Sequence, residues 1–207
     1  MPISTLTGFK AKIDRKAVRR IPCASLLLSL AALIIHLTNG LRLDLLYERT
    51  ALDGLELWRA VTCHWVHLNW DHLFWSGTTF LFLGSVCEIL DRKKTYQTLV
   101  IAAIIIPLTI WFGLPGLHIY AGLSGLDCAF YALLFTRLFM REISSGSRTW
   151  AGVYAVGLAA LLAKVIYETT TGQTIFVANS HTSMVPVPLS HLAGGFVGLI
   201  VGIRKEK

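Results

Sequence analysis

The chain has 207 residues, of which 54% are hydrophobic and 15% charged, with a mean hydropathy of +0.60; an ordinary soluble domain is about one quarter charged. That balance excludes a soluble globular enzyme and points to a polytopic membrane protein. The formal charge of +7 calls for no nucleic-acid partner, because the basic residues fall in clusters that a membrane topology already demands.

A helix needs about 20 predominantly apolar residues to cross the hydrocarbon core. Six stretches reach or approach that length, at 21–37, 72–90, 96–114, 124–140, 150–167 and 189–203. The expected fold is therefore all-α, a polytopic membrane protein with six transmembrane helices in one bundle. No small-residue cleavage site follows the first stretch, so it reads as a retained helix and not a signal peptide. Lys10, Lys12, Arg15, Lys16, Arg19 and Arg20 precede it. Arg92, Lys93 and Lys94 follow the second stretch, Arg137, Arg141 and Arg148 surround the turn from fourth to fifth, and Arg204, Lys205 and Lys207 end the chain. All four clusters fall on one side of a six-helix topology, which the positive-inside rule makes cytoplasmic. Residues 1–20 read as a basic cytoplasmic tail, 21–203 as one membrane domain and 204–207 as a second cytoplasmic tail. The opposite loops balance Arg42, Arg49 and Arg59 against Asp44, Glu48, Asp53 and Glu56.

Between the first two stretches lies a long loop with Trp58, Trp65, Trp70 and Trp75 in or beside it, a density typical of a segment at headgroup level. Cys23, Cys63, Cys87 and Cys128 are scattered without CxxC spacing and read as packing residues, not as a disulfide framework. The second stretch is preceded by His67-Leu68-Asn69-Trp70-Asp71-His72, with Ser76 one turn beyond His72 on the same face.

The fourth stretch opens with Gly122-Leu123-Ser124-Gly125. Irregular backbone at membrane depth is tolerated only where protein buries it or water reaches it, so glycine on both sides of the serine suggests a helix starting in a hydrated cavity. Ser124 then sits at a helix N-terminus, where unpaired N–H groups hold negative charge. Asp127 is the odd residue of this helix. A carboxylate there is costly unless paired or hydrated, and it reads either as a partner of His191 or cavity water, or as a neutral acid bonded to another helix. In the fifth stretch Lys164 and Glu168 are spaced for an i,i+4 pair and read as structural, with a role near a substrate gate as the alternative. The sixth carries Gly194, Gly198 and Gly202 at intervals of four, with His191 on the same face. Gly125, Ala129 and Ala132 offer a matching small face on the fourth, and such surfaces bring membrane helices into backbone contact. That packing sets His191 beside Ser124.

A serine hydroxyl needs a neighbouring base to become a nucleophile, and a neutral imidazole serves near pH 7. Ser124 and His191 fit such a dyad, and His72, Ser76 and the Ser124 N–H are candidate donors to a developing oxyanion. Cys63, His64, His67 and His72 are plausible zinc ligands by type, but they straddle a loop-to-helix junction without a His-Glu-x-x-His motif; neither metal nor cofactor is expected. A transporter is disfavoured by the lack of a paired repeat.

These motifs, taken with Trp58-Arg59 in the first loop, resemble the rhomboid intramembrane serine proteases of the minimal six-helix kind. The resemblance implies Ser124 as nucleophile, His191 as general base and His72 as oxyanion donor, with no third acidic member required and with His67, Gly122, Gly125 and Gly194 around the site, beside which Asp127 and Cys128 also fall. A narrower likeness, carried by His67 to Leu73, by Ala163-Lys164 with Glu168 and by the compact size, is to the rhombosortase branch. It implies substrates with a C-terminal Gly-Gly motif, a transmembrane helix and a basic tail. By that resemblance the chain lies in a bacterial inner membrane, its partners being transmembrane substrates and the lipid bilayer. Two positions depart from the family pattern. Ser76 stands where an asparagine is usual, and Cys128 where many members have a tyrosine, with Tyr131 one turn further in. The alternative within the family is an inactive protein that binds transmembrane clients without cleaving them.

Overall fold

The computed structural model describes residues 21–175 and 186–204. The expected tail at 1–20, and 205–207 of the other tail, lie outside the described residues. Six long helices form the bundle: α1 (Cys23–Leu37), α5 (Trp70–Leu90), α6 (Arg92–Gly113), α7 (Ser124–Ser145), α8 (Arg148–Thr171) and α9 (Pro188–Ile203). Between α1 and α5 the loop folds into three short helices, α2 (Asn39–Leu45), α3 (Arg49–Asp53) and α4 (Arg59–Thr62), and strand β1 (Tyr47–Glu48). Strand β2 (Ile119–Tyr120) pairs antiparallel with β1, Tyr47 opposite Tyr120. The fold is all-α, as the composition demands.

By length and hydropathy α5, α6 and α8 suffice to cross a membrane, whereas α1 and α9 are apolar but shorter. At 15 residues α1 spans roughly 22 Å at 1.5 Å per residue. Helix α7 has the length but carries Asp127, Arg137, Arg141 and Glu142. The outward faces are apolar, with Leu27 65%, Phe82 66%, Val156 69% and Phe196 63% exposed. A lipid solvent accounts for that surface.

Local chemistry sets the helix ends. Asn69 caps α5, its side chain accepting from His72 N at 2.7 Å, an N-cap arrangement that satisfies one orphan donor. Asp91 ends α5 and caps α6 by accepting from Lys94 N at 3.1 Å. Gly146 (φ 79°) and Gly172 (φ 67°) end α7 and α8 in the left-handed conformation that glycine adopts without strain.

In lipid, apolar burial does not draw helices together, so close packing and polar ties must. The most extensive helix contact is between α7 and α9. A Cβ on Gly194 would fall on the Gly125 carbonyl oxygen, and one on Gly198 would fall on that of Ala129. The third contact departs from expectation: Gly202 meets Thr136, a full turn beyond Ala132. Polar ties sit at helix termini. Glu88, fully buried, accepts from Ser25 N at 3.0 Å, Ser25 Oγ at 3.0 Å, Ala24 N at 3.3 Å and Tyr96 OH at 2.9 Å, placing a carboxylate on the positive end of α1. Lys94 Nζ donates to the carbonyls of Val201 at 2.9 Å and Arg204 at 2.7 Å, a cation on the negative end of α9. Arg49 Nη2 donates to the carbonyls of Trp111 at 3.0 Å and Leu114 at 3.1 Å while its guanidinium lies 4.4 Å above the Trp111 ring.

The loop before α5 is equally tied. Arg59 is buried and donates to the Leu46 carbonyl at 3.2 Å and to Glu56 Oε2 at 2.6 Å. Trp58, Trp70 and Trp75 stay exposed, in keeping with headgroup-level anchors. All four cysteines are free; three are buried, and Cys23 is exposed at the start of α1.

Replacing Gly198 by Ala forces α9 off the Ala129 carbonyl and is expected to cost about 1–3 kcal/mol, the usual penalty of overpacking. Thermal unfolding in detergent reads this as a lowered Tm. Gly152→Ala, on α8 with open space where the Cβ goes, serves as the comparison and is expected to hold the wild-type Tm. Equal effects of the two changes would contradict the packing described.

Candidate active site

The serine, the histidine and their neighbours meet at the end of the bundle where α5, α7 and α9 begin. Gly122 takes φ +120°, a conformation open to glycine, and its amide donates to the Cys63 carbonyl at 3.0 Å. The β1–β2 pairing holds the preceding residues. The chain then turns into α7 with Ser124 as its first residue, so the Ser124 amide belongs to the helix turn that has no intrahelical acceptor. On α9, Pro188 opens the helix at a position where its missing N–H costs nothing, and His191 lies in the first turn.

The Gly194–Gly125 contact fixes how far apart these two starts are. Nε2 of His191 lies 3.0 Å from Ser124 Oγ, within hydrogen-bond reach for proton transfer. Both residues line a cavity of about 1090 Å³, whose walls include Leu68 and Trp75 of the α5 end and Leu161 of α8. Among the described residues α5 and α8 make no more than marginal contact with each other, so the cavity runs between them.

His72 packs against the backbone of Gly122: a Cβ there would come within 2.7 Å of His72 Nε2. Only glycine leaves room for the ring of His72, which is 6% exposed and lines the same cavity as Ser124. His67 stands behind it, the two rings 4.9 Å apart edge to face, and the His67 carbonyl accepts from His36 Nδ1 at 3.0 Å. The loop residues of zinc-ligand type are engaged elsewhere. Cys63 Sγ donates to the Ala60 carbonyl and His64 Nε2 to that of Ala103 at 3.1 Å, and among the described residues no three His, Cys, Asp or Glu side chains are placed to hold a metal ion.

Ser76 lines the cavity, but its Oγ donates to Asp127 Oδ2 at 2.7 Å. A hydroxyl has one proton to give. With that proton directed at Asp127, Ser76 is not aimed at an oxyanion in this state, which differs from the role its spacing suggests. Asp127 thus has a side chain of another helix beside its Oδ2, while it also lines the cavity. Cys128 lines the cavity, and Tyr131 is tied away from α9, its hydroxyl donating to the Gly157 carbonyl at 3.1 Å.

At one pair the structure shows more than the i,i+4 spacing implies. Lys164 Nζ does meet Glu168 Oε1 at 2.7 Å, but Glu168 Oε2 also lies 2.7 Å from His191 Nδ1, and Lys164 Nζ 3.2 Å from the same nitrogen. The signal available was two ionisable residues in an apolar helix, which mark function more often than packing.

Outside the spanning helices, burial pushes the His64 imidazole down to about 4 and that of His67 down to about 3, so both are neutral near pH 7. An unfolded histidine takes its proton near pH 6.5. Below that pH the unfolded chain binds more protons than the folded one, and stability is lost as pH falls from 6.5 towards 4. The Tm in detergent is expected to be lower at pH 5 than at pH 7; an equal or higher Tm at pH 5 would contradict this.

Comparison with known proteins gives one family. The Rhomboid domain matches residues 54–205, well over half of the chain and all of α5 to α9. No curated protein matches the chain.

Proposed function

The chain belongs to the rhomboid family, and from that premise we propose that it is an intramembrane serine endopeptidase that hydrolyses a peptide bond near the outer end of a substrate's transmembrane segment. The observation that carries this reading is the 3.0 Å contact between Ser124 Oγ and His191 Nε2 on the wall of an accessible cavity. His191 takes the serine proton as Ser124 attacks the carbonyl carbon. The tetrahedral oxygen is held by the Ser124 amide and by His72, and His191 then protonates the leaving amine. Water entering the cavity hydrolyses the acyl-enzyme by the reverse sequence of proton transfers.

Charge distribution supports the outward placement of the site. Ser124, His72 and His191 lie at the start of their helices. The Arg137–Asp91 ion pair at 3.4 Å and the Lys94–Arg204 bond mark the other end, where Arg92, Lys93, Arg141 and Arg148 also lie at helix termini. On the positive-inside rule that end is cytoplasmic, with both termini there; the inner membrane of a bacterium is what the likeness to the rhombosortase branch implies. The parted α5 and α8 leave a path for a substrate helix. A regular helix hides its carbonyls from attack, so a segment with glycine at the cleavage site, which unwinds readily, suits the site. With the sequence likeness to the rhombosortase branch, this supports the substrates we propose: a C-terminal Gly-Gly motif, one transmembrane helix and a basic tail.

Co-expression with a reporter of that design tests both levels. Wild type is expected to cleave it, Ser124→Ala and His191→Ala to leave it intact, and a Leu-Leu reporter to survive all three. An intact Gly-Gly reporter alongside Ser124-dependent labelling by a fluorophosphonate would refute the substrate assignment alone; absence of labelling in folded wild type would refute the protease.

The two oxyanion candidates separate by substitution. His72→Ala is expected to lower the maximal rate about 10²-fold or more, as loss of an aimed donor does. Ser76→Ala, whose proton is held by Asp127, is expected to lower it by less than about tenfold. Equal losses in rates of reporter cleavage would contradict that ordering.

A further inference from the structure

We propose that Glu168 is a positioning residue for His191, making the site a Ser–His–Glu relay in which Lys164 balances the carboxylate. The inference rests on the reading of Ser124 and His191 as nucleophile and base, and extends it to α8.

An imidazole that is neutral carries one proton on one of two nitrogens, and only the nitrogen without it can act as a base. Serine activation therefore requires the proton on Nδ1 and the lone pair on Nε2. A carboxylate oxygen accepts and does not donate. With Glu168 Oε2 at 2.7 Å from Nδ1, the proton is held on Nδ1, and the Nε2 lone pair faces Ser124 Oγ at 3.0 Å. The ring plane is fixed by the same two contacts. When Nε2 takes the serine proton, the imidazolium finds the carboxylate already against it, and no proton has to leave Nδ1.

A second donor sits close by. Lys164 Nζ is 3.2 Å from Nδ1, and were it to donate there, the ring proton would move to Nε2 and the base would be lost. The two contacts exclude each other, and the shorter one favours Glu168. Lys164 is instead engaged at 2.7 Å with the other carboxylate oxygen, Oε1. Glu168 is 2% exposed, and a lone buried anion in an apolar helix is expensive. The ammonium one turn earlier offsets that cost. A pair made only to stabilise α8 has its partners within α8; here the second oxygen is spent on another helix, at the one nitrogen whose proton decides the chemistry.

The test uses the full chain in detergent and the rate of Ser124 phosphonylation, which needs no knowledge of the substrate. Glu168→Gln keeps the shape but brings an amide N–H that can donate to Nδ1 and stabilise the wrong tautomer. Its maximal labelling rate is expected to fall about 10²-fold or more, by the precedent of triads stripped of their acidic member, while the probe concentration giving half the maximal rate stays within about threefold. Histidine nitrogen NMR on the Ser124→Ala protein supplies a readout that does not depend on folding of a Glu168 variant. His191 Nδ1 is expected as the protonated nitrogen, with its proton shifted far downfield. Unchanged labelling in Glu168→Gln, or an unprotonated Nδ1 in Ser124→Ala, would overturn the proposal and leave the dyad standing. Loss of labelling with no fluorophosphonate reaction in wild type either would fall on the protease reading itself.

Discussion

The backbone contact between α7 and α9 is the constraint on which the site depends. Gly194 lies so close to the Gly125 carbonyl, and Gly198 to that of Ala129, that no side chain fits between them. Ser124 precedes Gly125 by one residue, and His191 precedes Gly194 by three, so both functional side chains project from the first turns beyond the same seam. The distance between them is set by helix packing, with no loop intervening. Such a seam requires small residues and a rigid approach, because in a bilayer dispersion contacts and polar ties replace the hydrophobic drive that assembles a soluble core.

Charged and polar residues placed at helix ends do the remaining work of assembly. Glu88 fastens the start of α1 to α5, Lys94 the end of α9 to α6, and Arg49 the end of α6 to the loop helices. Each lies where a helix presents four unpaired backbone groups, so one side chain satisfies several costs at once. The loop around Arg59 and the paired strands then position Gly122, and through Gly122 the imidazole of His72. A glycine with positive φ both turns the chain into α7 and leaves the space that the ring fills.

Much of this was legible in the sequence. Apolar length gave the six helices to within a few residues, and the intervals of four on α9 gave the face that meets α7. What spacing alone could not give was which residues face each other away from that seam. Ser76 and Asp127 are 51 positions apart, Glu88 and Ser25 63, and His191 and Glu168 23. Helices α5, α6 and α8 are apolar nearly all round, so periodicity does not mark their inward side. The Lys164–Glu168 spacing announced a pair and concealed its third member. Thr136 in place of Ala132 against Gly202 has a similar cause, since a seam advances by three or four residues and the choice depends on the crossing angle.

The α7–α9 seam sets the Ser124–His191 distance. The most direct measurement is the phosphonylation rate of Ser124 in Gly194→Ala, taken at a temperature where that variant remains folded by circular dichroism and gel filtration. A Cβ at 194 pushes α9 away from the Gly125 carbonyl, and misplacement of a reacting group by about 1 Å costs on the order of 10²-fold. A loss approaching that size is expected in the folded variant. Labelling at the wild-type rate would contradict it.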